Sequence, residues 1–269
     1  MPALHAFVLG VVQGLTEFVP VSSSGHLVVV PAALGWPEPG LAFDVLLHAA
    51  SLIALLIYFS GDLIDLVRGF LSKDPRSRRL LTLLLIGTVP AAVAGIALGD
   101  YFERSFNEPR PAAVQLAITA VILVAGELAL AYHSRRVART GGRLRTINDL
   151  GAVDAGAIGI AQAISILPGI SRSGSTIAAG LGLSVNRDDA ARFAFLLAIP
   201  ALAGAVVVKV PDLGGTSLGL AAALSGFFAS LVFSYAAIAA LIRYLKRNSV
   251  YPFAAYCVVA AVVFYLLVD

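Results

Sequence analysis

The stretch QGLTEFVPVSSSGH, from Gln13 to His26, places a carboxylate, an imidazole and three consecutive serines inside an otherwise apolar N-terminal run. A second stretch, PGISRSGST from Pro168 to Thr176, does the same with an arginine in the second half of the chain. Around them lies a sequence of 59% hydrophobic and 13% charged residues with a mean hydropathy of +0.89. A soluble domain carries about 25% charged residues, and its core has no room for so much apolar surface. Apolar runs near 41–60, 80–100, 112–132, 190–210, 218–242 and 251–268 each approach or exceed the roughly 20 residues that cross a bilayer as helix. The chain therefore reads as an all-α polytopic membrane protein.

Loop charges orient it. Arg68, Lys73, Arg76, Arg78 and Arg79 crowd one segment between spans, Arg135, Arg136, Arg139, Arg143 and Arg145 a second, and Arg243, Lys246 and Arg247 a third. Basic loops stay on the cytoplasmic side, which puts all three inside and the segment around Pro211 outside. These loops account for the net charge of +3 and, lacking interleaved aromatics, do not read as a nucleic-acid surface. No Lys or Arg precedes Arg68, so the charged region of a cleavable signal peptide is missing and Met1 onward is read as mature protein. The single cysteine, Cys257 in an apolar run, excludes an internal disulfide and a Cys-rich metal cluster.

The segment 150–186 must start and end inside, yet it holds two apolar stretches, 153–167 and 174–184, that are too short to span. A re-entrant hairpin with its irregular tip at Pro168 to Gly174 resolves this, provided the tip is buried in protein or faces water. Residues 3–35 repeat the pattern around Pro20 to Gly25, entering from outside. Each half is thus expected to hold one re-entrant helical hairpin and three transmembrane helices. Residues 1–149 form the first repeat (hairpin 3–35; spans 41–60, 80–100, 112–132) and 150–269 the second (hairpin 153–184; spans 190–210, 218–242, 251–268). The odd number of spans inverts the second half, giving an inverted repeat. Gly10 and Gln13 before the first tip echo Gly159 and Gln162 before the second. A competing likeness, IGTVPAAVAG at 86–95 with LLAIPALAG at 196–204, joins spans that are not equivalent in this scheme.

Two tips meeting in the membrane would bring Glu17 and His26 opposite Arg172. Ionisable groups at that depth are expensive and read as functional. A phosphoryl-transfer site needs donors around the equatorial oxygens, a positioned nucleophile and often a divalent ion. Arg172 offers a planar fork for two phosphate oxygens. The Ser- and Gly-rich turns offer N–H groups at helix starts, and Ser22, Ser23 and Ser24 offer hydroxyls. Glu17 can hold a metal or act as base, and His26 can shuttle a proton or attack phosphorus itself. Plainer readings stand beside these. Serines at helix starts ordinarily serve as N-caps, and Arg172 could simply tie the tips together. Glu127, near a basic loop, reads as interfacial and His5 as peripheral. Asp44 and His48, four apart, either line the same cavity or pair with each other.

Both strings resemble the signature regions of the undecaprenyl-diphosphate phosphatase family, the bacitracin-resistance proteins, and the resemblance covers essentially the whole chain. It implies hydrolysis of undecaprenyl diphosphate to undecaprenyl phosphate and inorganic phosphate in the bacterial plasma membrane. That reaction recycles the lipid carrier for cell-wall synthesis and confers bacitracin resistance. By position it implies Glu17 as metal or acid–base carboxylate, Ser23 as nucleophile, His26 as its neighbour and Arg172 as phosphate clamp. Ser22, Ser24, Gly25, Ser171, Ser173, Gly174 and Thr176 are implied as phosphate contacts. A divalent cation, Mg or Ca, is implied at Glu17 and Gln13, and the partners are the polyprenyl diphosphate and membrane lipid, with a homodimer admitted. Gln13 departs from the family, which has Glu there; an amide oxygen can ligate a metal but brings no charge and cannot act as base.

The loop charges open the first tip, and so the active site, to the outer face. The chief rival is a flippase for the lipid phosphate, since midplane tips in inverted repeats are transporter architecture; it would need Arg172 but not Ser23. The acid-phosphatase-type lipid phosphatases share only a faint echo in SSSGH, and their other motifs are absent.

Overall fold

A computed structural model describes residues 1–37, 39–98, 109–209 and 218–267. These form eleven α-helices: α1 (Ala3–Phe18), α2 (Ser23–Ala33), α3 (Leu41–Tyr58), α4 (Ser60–Leu71), α5 (Pro75–Ala97), α6 (Pro109–Thr140), α7 (Ala152–Ile164), α8 (Arg172–Gly182), α9 (Arg187–Lys209), α10 (Leu220–Leu245) and α11 (Tyr251–Leu267). Five of them, α3, α5, α6, α9 and α10, are long and apolar enough to cross a bilayer, in keeping with a polytopic membrane protein. The remaining expected span is the 17-residue α11. The ends of the expected spans 80–100 and 190–210, and the loop at Pro211, lie outside the described residues.

Two segments read as loop are helical. Residues 60–71 form α4, because Asp62, Asp65 and Arg68 fall on one arc and Leu63, Val67 and Phe70 on the other. Helix α6 runs on to Thr140, so Arg135, Arg136 and Arg139 sit on a helix. Nothing between Glu127 and Thr140 breaks it, and Gly141, at φ +70, ends it.

Two pairs of short helices, α1 with α2 and α7 with α8, each flank a non-helical tip and lie within the bundle of long helices. Helix α1 packs chiefly on α10, and α7 on α5. Both contacts bring backbone against backbone. A Cβ on Gly10 would come within 2.4 Å of the Gly226 carbonyl oxygen, and one on Gly159 within 2.3 Å of that of Gly87. Where lipid replaces water, close approach of small residues is the main source of helix association.

The pairs enter from opposite ends. Ala6, Leu9 and Leu27 of the first pack with Phe43 and Leu47 near the start of α3 and Ala222 at the start of α10. The base of the second is strapped near the start of α9. The Arg145 N–H donates to the Ser184 carbonyl and the Asn186 N–H to that of Arg145, both at 2.9 Å, while the Arg145 guanidinium holds Asp154. Arg79 of α5 donates to the Asn148 and Leu150 carbonyls at 2.8 and 2.5 Å. On the same strap Arg143 donates to Asp149 and, with the Thr146 backbone, holds that carboxyl well below the usual carboxylate range. Helix α9, about 34 Å long at 1.5 Å per residue, separates the two bases.

Glycine contacts of this kind leave no room to grow. Gly159→Val is expected to lower stability by about 1–3 kcal/mol, read as a lower unfolding midpoint in detergent. Gly156→Val, at a position facing open space, is the matched control and should shift it far less.

Candidate active site

Each tip is shaped by its own backbone before any site chemistry enters. Ser22 adopts φ 68, a left-handed conformation costly for a side chain bearing a Cβ, and its hydroxyl caps α2 by accepting from the Gly25 N–H at 3.4 Å. At the other tip Gly169 stands at φ +91, and a Cβ there would lie 2.3 Å from the Ala112 carbonyl oxygen. Thr119 of α6 locks that turn, donating to the Gly169 carbonyl and accepting from the Ser171 N–H, each at 3.0 Å. Ser171 caps α8 through the Gly174 N–H at 3.0 Å.

The tips touch. The Gly169 N–H donates to the Ser24 hydroxyl and Ser173 to the Val19 carbonyl, both at 3.3 Å. Across this seam the Arg172 guanidinium donates to Glu17 Oε1. The other carboxylate oxygen, Oε2, accepts from Ser23 Oγ at 2.5 Å and Gln13 Nε2 at 3.0 Å, and His48 Nε2 stands 3.8 Å from it. The Glu17 side chain is only 2% exposed. Unpaired, such a carboxylate would cost several kcal/mol, which its cation and two donors offset. A cavity of about 10 Å³ adjoins the pair, lined by Glu17, Phe18, Arg172, Ser173, Thr176, Ala194, Phe195 and Ala198.

Of the residues singled out from sequence, Glu17, Ser23, Arg172 and Gln13 come together. His26 does not join them. Its Nδ1–H donates to the Ser22 carbonyl at 2.7 Å, so in the neutral ring Nε2 is the acceptor, and the Tyr256 hydroxyl fills it at 2.7 Å. Burial drives this: the imidazole stacks on Tyr256 and meets Phe264 edge-on, both from α11. Ser22 and Ser171 are caps, as serines at helix starts ordinarily are, and Gly25 and Gly174 give their N–H groups to them. Ser24 and Ser173 serve the seam. The Thr176 hydroxyl bonds back to the Arg172 carbonyl at 2.8 Å, although the residue lines the cavity.

His48 and Asp44 are not a side-chain pair. His48 Nδ1–H donates to the Asp44 backbone carbonyl at 2.8 Å, which turns Nε2 toward Glu17. Glu127 is buried rather than interfacial: it pairs with Arg187 and accepts from the Val250 N–H at 3.1 Å, fastening α6, α9 and α11 together. His5 stacks on Trp36 at 3.9 Å. Five contributors escaped sequence reading, namely Thr119, Tyr256 and the serines Ser51, Ser230 and Ser234. Ser51 accepts from Gln13 at 3.5 Å and is itself bonded to Ser230 and Ser234 at 3.1 and 3.0 Å. A lone hydroxyl in a span carries no signal until its neighbours are known.

A divalent cation fits this oxygen set in part. Gln13 Oε1 is buried and without a hydrogen-bond partner among the described residues, beside a carboxylate and the Ser23 hydroxyl. Hard oxygen donors suit Mg or Ca. No cluster of three or more His, Cys, Asp or Glu occurs among the described residues, so phosphate oxygens and water would complete the shell.

Fold and site together define a helical membrane protein with a buried carboxylate–guanidinium–hydroxyl centre between two helix-start tips, the equipment of a phosphate-handling protein. The family model for bacitracin resistance protein BacA matches residues 6–263, and the chain belongs to that family. It is 38% identical to an undecaprenyl-diphosphatase of Methanosphaera stadtmanae over 98% of this chain and 97% of that protein. Undecaprenyl-diphosphatases of Geobacter sulfurreducens and Gloeobacter violaceus are each 42% identical, covering 99% and 94% of this chain and 99% and 87% of their own lengths.

Removing the cation should strand the anion. Arg172→Ala is expected to destabilise the fold by about 3–5 kcal/mol. The double variant with Glu17→Ala should recover a large part of the loss, checked as a double-mutant cycle of unfolding midpoints in micelles.

Proposed function

We propose that this chain hydrolyses undecaprenyl diphosphate to undecaprenyl phosphate and inorganic phosphate. Its relatives carry the name of that reaction. The observation that carries the reading is the 2.5 Å bond from Ser23 Oγ–H to Glu17 Oε2 beside Arg172: a nucleophile, its base and a phosphate clamp within one contact shell. Lipid transport alone calls for the clamp but not for the hydroxyl–carboxylate pair.

In this reading the diphosphate enters at the seam and takes the Arg172 fork from Glu17. Freed of the guanidinium, Glu17 is a stronger base and accepts the Ser23 proton as Oγ attacks the terminal phosphorus. The Oγ–P bond forms and the bridging P–O bond breaks, with undecaprenyl phosphate leaving. Arg172 stabilises charge on the equatorial oxygens. Glu17 gives the Ser23 proton up to the departing undecaprenyl phosphate; water, losing a proton to the restored carboxylate, then attacks the phosphorus, the P–Oγ bond breaks as Ser23 takes the proton back, and inorganic phosphate is released. His26, with both ring nitrogens engaged, braces the strained Ser22 cap instead of attacking. A divalent ion held by Glu17 and Gln13 Oε1 would neutralise diphosphate charge as a Lewis acid.

The inverted repeat is supported by the exchange of packing partners: α1 lies on α10 as α7 lies on α5, through Gly10 with Gly226 and Gly159 with Gly87. The first hairpin's base lies at the end of the bundle away from Arg79 and Arg145, so the positive-inside rule opens it to the outer leaflet. Carrier released after cell-wall assembly would be recycled there, as the bacitracin-resistance name of the family suggests.

Phosphate release from a polyprenyl diphosphate by the purified protein in detergent tests the reading. Ser23→Ala and Glu17→Gln should each lower kcat by roughly 10²–10⁴-fold, and Arg172→Lys, which keeps charge but loses the fork, by about 10²–10³-fold. EDTA should suppress release and added Mg or Ca restore it. An active Ser23→Ala enzyme would overturn the nucleophile assignment, and an inactive wild type the reaction itself.

Tyr256→Phe removes only the donor to His26 Nε2. It should lower kcat by about tenfold or less, in line with the roughly 1 kcal/mol of a single hydrogen bond, with KM little changed.

A further inference from the structure

Helix α4 has no buried residue, and one face of it has no protein partner. Leu63 and Leu66 lean on the core, and Gly69 is closed off by Ser77 at the start of α5. Around them Ile64, Val67, Phe70 and Leu71 stand exposed, and an open apolar groove of about 330 Å³ runs along Leu63, Ile64 and Val67 with Arg68 at its rim. Next to these residues stand four exposed cations, Arg68, Lys73, Arg76 and Arg78. None of them takes part in an ion pair among the described residues. Of the acids on these segments, Asp62 pairs with Arg192 and Asp74 caps α5 through the Ser77 N–H and hydroxyl at 2.8 Å each, which leaves the exposed Asp65 as one carboxylate against four cations. Arg78 lies over the Phe70 ring, 5.7 Å from its centroid, which joins the charged side to the apolar one.

A helix with one apolar arc and one polar arc, followed by a turn rich in exposed cations, is built to lie in the plane of a membrane interface. Charge complementarity then selects the occupant. We propose that α4 and the first turn of α5 form a docking surface for an anionic phospholipid of the cytoplasmic leaflet, its acyl chain in the groove and its phosphate among Arg68, Lys73, Arg76 and Arg78. The surface lies apart from the Glu17 site, and the proposal does not depend on the reaction assigned there.

Native mass spectrometry of the full-length protein, released from non-ionic micelles and titrated with dioctanoyl phosphatidylglycerol, dioctanoyl phosphatidylcholine or sn-glycerol 3-phosphate, tests it. Phosphatidylglycerol should bind tighter than phosphatidylcholine, and glycerol phosphate far more weakly. Changing Arg68, Lys73, Arg76 and Arg78 to Gln should weaken phosphatidylglycerol binding by about fivefold for each cation removed. Changing Arg135, Arg136, Arg139 and Lys246 to Gln removes the same charge elsewhere and should leave binding nearly intact. Ile64→Ser with Val67→Ser should weaken lipid binding without any change of charge. Equal losses in the two charge variants, no loss in the first, or glycerol phosphate binding as tightly as the lipid would each overturn the proposal. All the side chains replaced are exposed, so the unfolding midpoint should hold. Should it fall, the paired variants Arg68→Gln/Lys73→Gln and Arg76→Gln/Arg78→Gln draw the same distinction.

Discussion

The ion pair between Glu17 and Arg172 bridges two segments 155 residues apart in the chain, and most of the architecture can be understood as the means of keeping it whole. A carboxylate 2% exposed in an apolar bundle is tolerable only with its cation and its donors in place. Arg172 arrives on the first residue of α8, Ser23 on the first of α2 and Glu17 one residue before the end of α1. All three therefore sit where a helix begins or ends, and there the backbone N–H groups of a first turn lack intrahelical partners. The anion that occupies the Arg172 fork is the protein's own Glu17. In the proposed reaction a phosphate displaces it, which would couple substrate binding to the release of the base.

Holding two tips in register calls for close backbone packing and satisfied polar groups. Gly10 and Gly159 supply the first, each laid against a carbonyl of a long helix. Thr119, the seam bonds of Ser24 and Ser173, and the serines Ser51, Ser230 and Ser234 behind Gln13 supply the second. At the basic end, the Arg145 strap and the Glu127–Arg187 pair tie the second hairpin's base and the neighbouring helices together. The energetic logic is uniform: buried polar atoms are costly singly and stabilising in closed networks.

The residue at position 13 sets the charge of the centre. With an amide there, the buried core of the site holds one carboxylate against one guanidinium, and Nε2 acts as a donor to Glu17. A second carboxylate at that position would repel the first and require a proton or a cation between them. The amide leaves Oε1 buried, neutral and without a hydrogen-bond partner among the described residues.

Composition, loop charge and two polar strings in apolar surroundings were enough to read off a helical membrane protein and to single out Glu17, Ser23 and Arg172, which the fold brings together. Those features depend on local chemistry: hydropathy over about 20 residues, turn residues at a helix start, and the cost of an unpartnered charge. The amphipathic α4 passed for a loop because it is short and charged, and the true length of α6 was hidden by its own arginines. What His26 does was decided by tertiary structure alone. Its string places it three residues from Ser23, yet helical rotation turns its ring toward Tyr256, 230 residues away, and both ring nitrogens are filled there. His48 was turned toward Glu17 in the same way, by a backbone carbonyl four residues back and by the packing of α3 on α1. Residue type and spacing determine which groups can do chemistry at a membrane's depth; which of them face one another depends on helix rotation and packing, set by contacts between residues far apart in the chain.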